Sequence, residues 1–299
     1  MGRLEKALIL GAAGLLAYQL IARRRKSIDL SQYYQGKVAV VTGGASGIGL
    51  AIVYELHRLG AHVLAVDRNE LTLEKLKAEL PEVATLAIDL IEEDAPQRVL
   101  NEALAQFGGL DLLFNNAGIL FAGPFLEINK ANIELLVAVN FTMQIRMTHT
   151  ILPYLLSCGQ GVIAYTGSLS AHVYAPMHSI YTGTKGGLHN FVAALRRELP
   201  VDGRVQLTII HPNVTRTNLA DANLFDRAEK VAGLKLETPE EVARTLLTGI
   251  ARGEREIFVR TSDHFYKWAE RLLPSYLDSG FRRFAEVDAH NKEAVRLAE

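Results

Sequence analysis

Seven short β-branched, apolar runs separated by segments of helical length constrain this chain more than any other feature. They are VAVVT (38–42), HVLAVD (62–67), ATLAID (84–89), LDLLFNNAG (110–118), GVIAYTGS (161–168), VQLTIIHP (205–212) and EIFV (256–259). Strands that are apolar throughout, rather than alternating with polar residues, need cover on both faces. Regular alternation with helices supplies that cover and directs the strands into one parallel sheet. The expectation is an α/β fold, a doubly wound seven-stranded parallel sheet. No repeat or Pro/Ser-rich linker divides the region, and 299 residues with 49% hydrophobic side chains suffice for one large core.

Composition removes several function classes. A formal charge of −1, with dispersed basic residues, leaves no electrostatic footprint for nucleic acid. The single cysteine, Cys158 in LLSCGQGV, excludes an intrachain disulfide and reads as an idle thiol at a helix end. The nine histidines show no zinc-ligand spacing, so no metal site is expected.

Residues 1–27 stand apart. Ala7 to Ala22 is apolar except for Tyr18 and Gln19, and Arg23-Arg24-Arg25-Lys26 follows directly. As a helix this run is about 24 Å long, short of the roughly 30 Å hydrocarbon core by a gap that snorkelling arginines close. Charge after the apolar run looks like stop-transfer rather than a cleaved signal. The positive-inside bias then puts the body of the chain on the cytoplasmic side of a membrane. The expectation is a single-pass N-terminal anchor, with an interfacial helix as the alternative. Residues 28–36 read as a linker, 37–260 as the main domain and 261–299 as a C-terminal helical extension. That extension, with HFYKWAERLLPSYLDSGFRRF, reads as an amphipathic cap on the core or as a surface resting on lipid or a partner subunit.

The turn after the first run, TGGASGIG, carries Gly43, Gly47 and Gly49 into a helix beginning near Ile48. Glycines there permit a tight turn and close backbone approach to a pyrophosphate, which the free N–H groups of the helix start attract. Asp67, at the end of the second run, is placed to accept from both adenosine ribose hydroxyls and to repel a 2′-phosphate. This is a Rossmann-type signature, and it favours NAD. Arg68 beside it leaves NADP possible, while Ser46 stands where a second basic residue would help a phosphate. Asp89, at the end of the third run, is a candidate for the adenine edge or a helix cap.

The stretch YTGTK sets Tyr181 and Lys185 at i and i+4, one face of a helix. A free phenol titrates near 10, too high for efficient proton transfer at neutral pH. A cation about 5 Å away at an effective dielectric of about 20 contributes roughly 3 kcal/mol, or about two units toward phenolate. The expectation is that Lys185 lowers the phenol's pKa.

Taken together, TGGASGIG, NNAG at 115–118, Asn140 in VAVNF, Ser168 at a strand end and YTGTK resemble the motifs of the short-chain dehydrogenase/reductase superfamily, over about residues 37 to 260. The resemblance implies that Tyr181 exchanges a proton with the substrate oxygen, Ser168 hydrogen-bonds that oxygen, and Lys185 bonds the nicotinamide ribose. Asn140 would support a water relay to Lys185. It further implies cofactor contacts from Asn116, Ala117, Gly118, Thr215 and Thr217. It also implies a homodimer packed through helices at 130–157 and 179–198. Asn213 stands where the family has glycine after proline, and a left-handed backbone at this asparagine would preserve the turn. Two sequons, at Asn140 and Asn213, fall in the site itself, which agrees with a cytoplasmic domain.

Residues 218–236 are where this fold covers its substrate. Leu219, Leu224, Phe225 and Leu234 there suggest an amphipathic lid, with Leu120, Phe121, Phe125, Val173, Tyr174 and Met177 completing an apolar pocket. An anchored enzyme with such a pocket points to an apolar alcohol or ketone, such as a steroid, retinoid or long-chain lipid. The alternatives are an NADPH-dependent carbonyl reductase, and an anchored nucleotide-binding interaction protein without turnover.

Overall fold

The computed structural model describes residues 28–200, 203–217, 235–275, 277–279 and 281. The expected anchor at 1–27 and most of the expected lid, 218–234, lie outside these residues. Among those described, no helix is long and apolar enough to cross a membrane.

The chain runs α1 (Leu30–Tyr34), β1 (Val38–Thr42), α2 (Gly47–Arg58), β2 (His62–Asp67), α3 (Glu70–Glu79), β3 (Ala84–Ala87), α4 (Ala95–Phe107) and β4 (Leu112–Asn115). It continues α5 (Lys130–Val137), a π turn (Ala138–Thr142), α6 (Met143–Cys158), β5 (Gly161–Thr166), α7 (Ser179–Glu198), β6 (Val205–His211), α8 (Pro239–Ala251), β7 (Glu256–Phe258) and α9 (Thr261–Leu272). The seven strands form one parallel sheet in the order β3-β2-β1-β4-β5-β6-β7.

The strands are buried on both sides, and their side chains divide by parity. Ala39 and Val41 of β1 face a layer holding Ile52 and Leu56 of α2 and Leu246 and Ile250 of α8. Val38 and Val40 face the opposite layer, with Val99 of α4, Ile151 of α6 and Leu188 of α7. Helix ends follow local chemistry. Gly108 and Gly159 take left-handed φ of 74° and 73° to close α4 and α6. Thr238 and Glu241 form a reciprocal capping box that starts α8.

Two expectations need correction. The third and fourth strands stop at Ala87 and Asn115, short of Asp89 and Gly118, because the chain there leaves the sheet to line a cleft. Residues 28–36 are not a bare linker. Asp29 caps α1 by accepting from the Ser31 and Gln32 amides, and Tyr34 is fully buried with its hydroxyl donating to the Leu247 carbonyl at 2.7 Å. The helix that opens the C-terminal extension packs on the domain: Asp263 of α9 is buried and accepts from the Asn213 side chain at 3.3 Å.

Tyr34 therefore staples α1 to α8. We expect Tyr34→Ala to lose about 3–5 kcal/mol in urea unfolding. Tyr34→Phe, which keeps the ring and drops one hydrogen bond, should lose only about 1 kcal/mol. Equal losses would mean that the ring packs nothing.

Candidate active site

β1 lies between β2 and β4, so strand order reverses there, and the crevice beyond the carboxyl ends of such strands is where α/β sheets bind ligands. A cleft of about 1090 Å³ opens at that place. Gly43, Ser46, Gly47, Ile48, Asp67, Arg68, Asp89, Asn116, Ala117, Gly118, Ser168, Tyr181, Lys185, Thr215 and Thr217 all line it. Of the expected catalytic and cofactor-binding residues, Gly49 and Asn140 are the two that do not line it.

The phosphate end is built by absence of side chains. Gly43 and Gly47 hold φ of 64° and 52°. A Cβ on Gly49 would collide with the Gly43 carbonyl oxygen and the Asn116 amide, so only glycine lets α2 start against the turn. The first N–H groups of α2 have no intrahelical acceptor, and Ser46 makes no side-chain cap to them. Those donors suit an anion. Asp67 is aimed by two backbone amides, Ala45 to Oδ2 at 3.2 Å and Asn69 to Oδ1 at 3.1 Å. Asp89 accepts from the Ile91 amide at 3.1 Å, so it both shapes its turn and lines the cleft.

One residue here went unnoticed in the sequence. Thr42 donates to the Phe114 carbonyl at 3.0 Å and accepts from the Asn116 and Ala117 amides at 2.9 and 3.0 Å, which fixes the β4 exit against β1. Asn116 is held further by donating to the Thr42 carbonyl and accepting from Thr166 Oγ1, each at 3.0 Å. The only available signal was the threonine that opens TGGASGIG.

Asn140 sits in the π turn, fully buried. Its amide clamps Ile119, accepting from the N–H and donating to the C=O, both at 2.8 Å. Such burial also shields this sequon in the folded chain. Lys185 is only 3% exposed, and its Nζ donates to the Thr166 carbonyl at 2.8 Å. Desolvation holds its pKa down to about 8.

Tyr181 is buried as well. Contrary to the expectation from spacing, the Tyr181 phenol is not held below its ordinary pKa. Burial raises the Tyr181 pKa above its ordinary value, and the Ser168 hydroxyl is the group that draws it back down. Lys185 Nζ is engaged by Thr166 and lies 5.8 Å from the centre of the Tyr181 ring. Ser168 is itself oriented, with its Oγ accepting from the Ser170 amide at 3.1 Å, so its own proton remains available to the phenol oxygen.

Other expectations need adjustment. Asn213 does not take a left-handed backbone, and among the described residues Met177 is the only non-glycine that does. Instead the Asn213 side chain makes the turn, accepting from the Val214 amide at 2.8 Å, while the Asn213 backbone N–H donates to Glu237 Oε2 at 3.0 Å. Thr215 directs its hydroxyl inward, toward the Asn213 carbonyl and Glu237. Glu237 is buried beside Asp263, and burial followed by that neighbour's charge pushes its pKa up to about 7. Leu120, Phe121 and Val173 line the cleft as expected. Phe125 and Tyr174 are 60% and 59% exposed, and Met177 does not reach the wall. Tyr266, Leu277 and Phe281 of the C-terminal extension take their place. Cys158 is exposed at the end of α6. The histidines that are scattered along the chain are not scattered in space: His172, His189 and His211 gather around Glu256.

Comparison with known proteins agrees with this geometry. Residues 37–227 match the profile of the short chain dehydrogenases. The chain belongs to the short-chain dehydrogenase family. It carries that family's general activity, oxidoreduction. Bos taurus L-xylulose reductase is 34% identical over 192 residues, covering 64% of this chain and 77% of the relative. An Arabidopsis thaliana 11-beta-hydroxysteroid dehydrogenase-like protein is 30% identical, covering 85% and 86%. A Burkholderia phymatum short-chain dehydrogenase solved in complex with NAD superposes with a TM-score of 0.72 at 25% identity, covering 80% of this chain and 94% of that one.

Burying Lys185 has a thermodynamic consequence. Its pKa falls from the ordinary value of 10.5 to about 8, so the folded state disfavours the charged form by roughly 3 kcal/mol at full effect. Between those values the unfolded chain binds more protons, so stability rises with pH; below about 8 the penalty is complete. Lys185→Met should therefore stabilise the cofactor-free protein by about 2 kcal/mol at pH 7 in urea titrations. That gain should fade toward pH 10.5. A pH-independent difference would contradict the assignment.

Proposed function

We propose that this protein is an NAD-dependent oxidoreductase of apolar alcohols and ketones, with Tyr181 as the general acid/base. The observation that carries this reading is the buried Tyr181, adjusted by Ser168 and backed by Lys185, at the wall of a cleft that also holds Leu120, Phe121, Val173 and Phe281. The glycine turn whose Cβ positions are filled, the uncapped start of α2 and the Asp67 carboxylate fit a nicotinamide dinucleotide. Bound there, the nicotinamide supplies or accepts the hydride.

The chain's own groups do the rest. Ser168 and Tyr181 together hold the substrate oxygen, and the Tyr181 hydroxyl gives it a proton in reduction or removes one in oxidation. Lys185, fixed by Thr166, keeps a positive charge beneath that exchange, and it and the Asn140 amide oxygen both flank Gly118. Asp67 favours free ribose hydroxyls and so NAD over NADP. Oxidation is the favoured direction, because NAD pools are kept oxidised. The hydroxysteroid in the plant relative's name accords with an apolar wall, whereas the L-xylulose reductase keeps a polar-substrate reductase as the second reading.

Membrane attachment through residues 1–27, with this domain on the cytoplasmic side, belongs to the same proposal. The exposed Phe265, Trp268 and Leu272 lie at i, i+3 and i+7 of α9, the helix that also lends Tyr266 to the cleft. That aromatic face suits contact with a bilayer next to the route of an apolar substrate. A homodimer through 130–157 and 179–198 completes it, with twice the chain mass expected by light scattering in mild detergent.

The test is a screen of sterols, retinoids and aliphatic alcohols with NAD and NADP. We expect turnover with an apolar alcohol, and Tyr181→Phe lowering kcat by about 10²–10⁴-fold with little change in KM. Asp67→Ala should shift the NAD/NADP preference by about 10-fold or more toward NADP. No hydride transfer with any of these substrates would favour a nucleotide-binding protein without turnover. For attachment, carbonate-washed membranes should retain the full chain and release one begun at Ile28, which keeps the Asp29 cap of α1.

A further inference from the structure

Four side chains that the proposed reaction does not use meet behind Ser168. His172 follows the turn after β5, His189 lies on α7, His211 ends β6 and Glu256 opens β7. One ligand atom from each falls within 4.8 Å of all the others. Glu256 Oε1 is 3.0 Å from His172 Nε2, 3.3 Å from His211 Nε2 and 3.8 Å from His189 Nδ1, and the two Nε2 atoms are 3.4 Å apart. Zinc bonds of about 2.0–2.1 Å place tetrahedral ligand atoms about 3.4 Å from one another. These four separations centre on that edge, and those from His189 to the other two rings lie within 4.8 Å.

Hydrogen bonding alone does not account for the cluster. His211 Nδ1 lies 3.0 Å from the Ser168 carbonyl, which only accepts, so Nδ1 carries the ring proton. In a neutral ring this turns the Nε2 lone pair toward the carboxylate oxygen, acceptor against acceptor. His172 can place its one Nε2 proton toward the carboxylate or toward His211, not both. His189 Nδ1 is a buried nitrogen with no hydrogen-bond partner among the described residues. A ligating histidine also characteristically donates its second N–H to a carbonyl, as His211 does to Ser168.

We propose that His172, His189, His211 and Glu256 bind a divalent cation of the zinc type, and that the ion fixes the backbone of Ser168 from behind through His211. His172 and His211 are buried, while His189 and Glu256 keep 21% and 28% side-chain exposure. Glu256 also borders a cavity of about 640 Å³ together with Phe258 and His264. Lys267 Nζ, 2.8 Å from both Glu256 oxygens, is the rival cation. With the ion on Oε1, Lys267 keeps Oε2, the outer-shell role that a ligating carboxylate's partner takes.

The test uses the full chain, purified in mild detergent without a histidine tag, stripped by a chelator and titrated with Zn²⁺. We expect one zinc per chain by elemental analysis, a Tm rise of about 5 °C or more at saturating ion, and the strong visible bands of tetrahedral Co²⁺ on substitution. His189→Gln and Glu256→Gln should lose the bound ion and the bands. Lys267→Met should keep one zinc per chain, which preserves the test if the ligand variants fail to fold. The proposal is overturned if the wild type binds no zinc, if the ligand variants bind as much as it does, or if Lys267→Met is destabilised with no metal dependence, which would make the ammonium the resident cation. Binding is read without substrate or cofactor, so its failure leaves the oxidoreductase reading intact.

Discussion

A lysine held at 3% exposure is the constraint on which the site depends. Water would solvate the ammonium better than the Thr166 carbonyl does, and the depressed pKa of Lys185 measures the deficit. The fold tolerates this because the residues around it are fixed by other bonds. Thr166 ends β5, paired with Ile210 of β6, and its hydroxyl is committed to Asn116. The carbonyl facing Lys185 therefore cannot turn away to relieve it. A charge that costs stability in the empty protein is in place where a proton must move, which is how active sites trade stability for function.

The same logic explains why so many side chains around the cleft hydrogen-bond to backbone rather than face the ligand. Thr42 ties β4 to β1, Asn140 grips Ile119 through both amide ends, and Asn213 folds its own turn. Each converts a loop that leaves the carboxyl edge into a part of the sheet. The π turn at Asn140 follows from this role. An extra residue in one helical turn breaks the regular ladder between α5 and α6, and the buried amide at that place reaches across to the β4 exit. Catalytic groups on loops gain the precision of strands in this way.

How much of this was legible in the sequence depends on whether a contact is local. β1 and β2 match their apolar runs residue for residue, because both faces are buried and no polar residue interrupts them. β3 ends early because Ile88, which continues its pattern, belongs to the cleft wall, and hydrophobicity does not separate a strand from a pocket lining. The i, i+4 geometry of Tyr181 and Lys185 was readable from spacing. That both are buried, and that Thr166 holds the ammonium, was not, since the partner lies on another strand. Tyr34 was hidden for a similar reason, being one buried ring in an otherwise polar stretch whose anchor, Leu247, is far along the chain. Asn213 shows a subtler failure. The residue was correctly singled out, but asparagine has two ways to make a turn, and the side-chain bond to the Val214 amide prevails over the left-handed backbone.

The back of the site is as polar as its front. Glu237 and Asp263 under the Asn213 turn, and the His172, His189, His211 and Glu256 group under Ser168, form two buried polar layers beneath the loops after β6 and β5. Apolar packing would stabilise those loops at lower electrostatic cost. Directional bonds do something that packing does not, because they specify one backbone position for the loop above them rather than a range. His211 acts on the Ser168 carbonyl and Glu237 on the Asn213 amide, and each bond is made from below, leaving the cleft face free for ligand. The short β7 strand and α9 then acquire a purpose beyond closing the sheet. They deliver Glu256 and Asp263 to these layers while α9 lends Tyr266 to the cleft, so the segment that looks like an appendage in sequence completes the site from two sides.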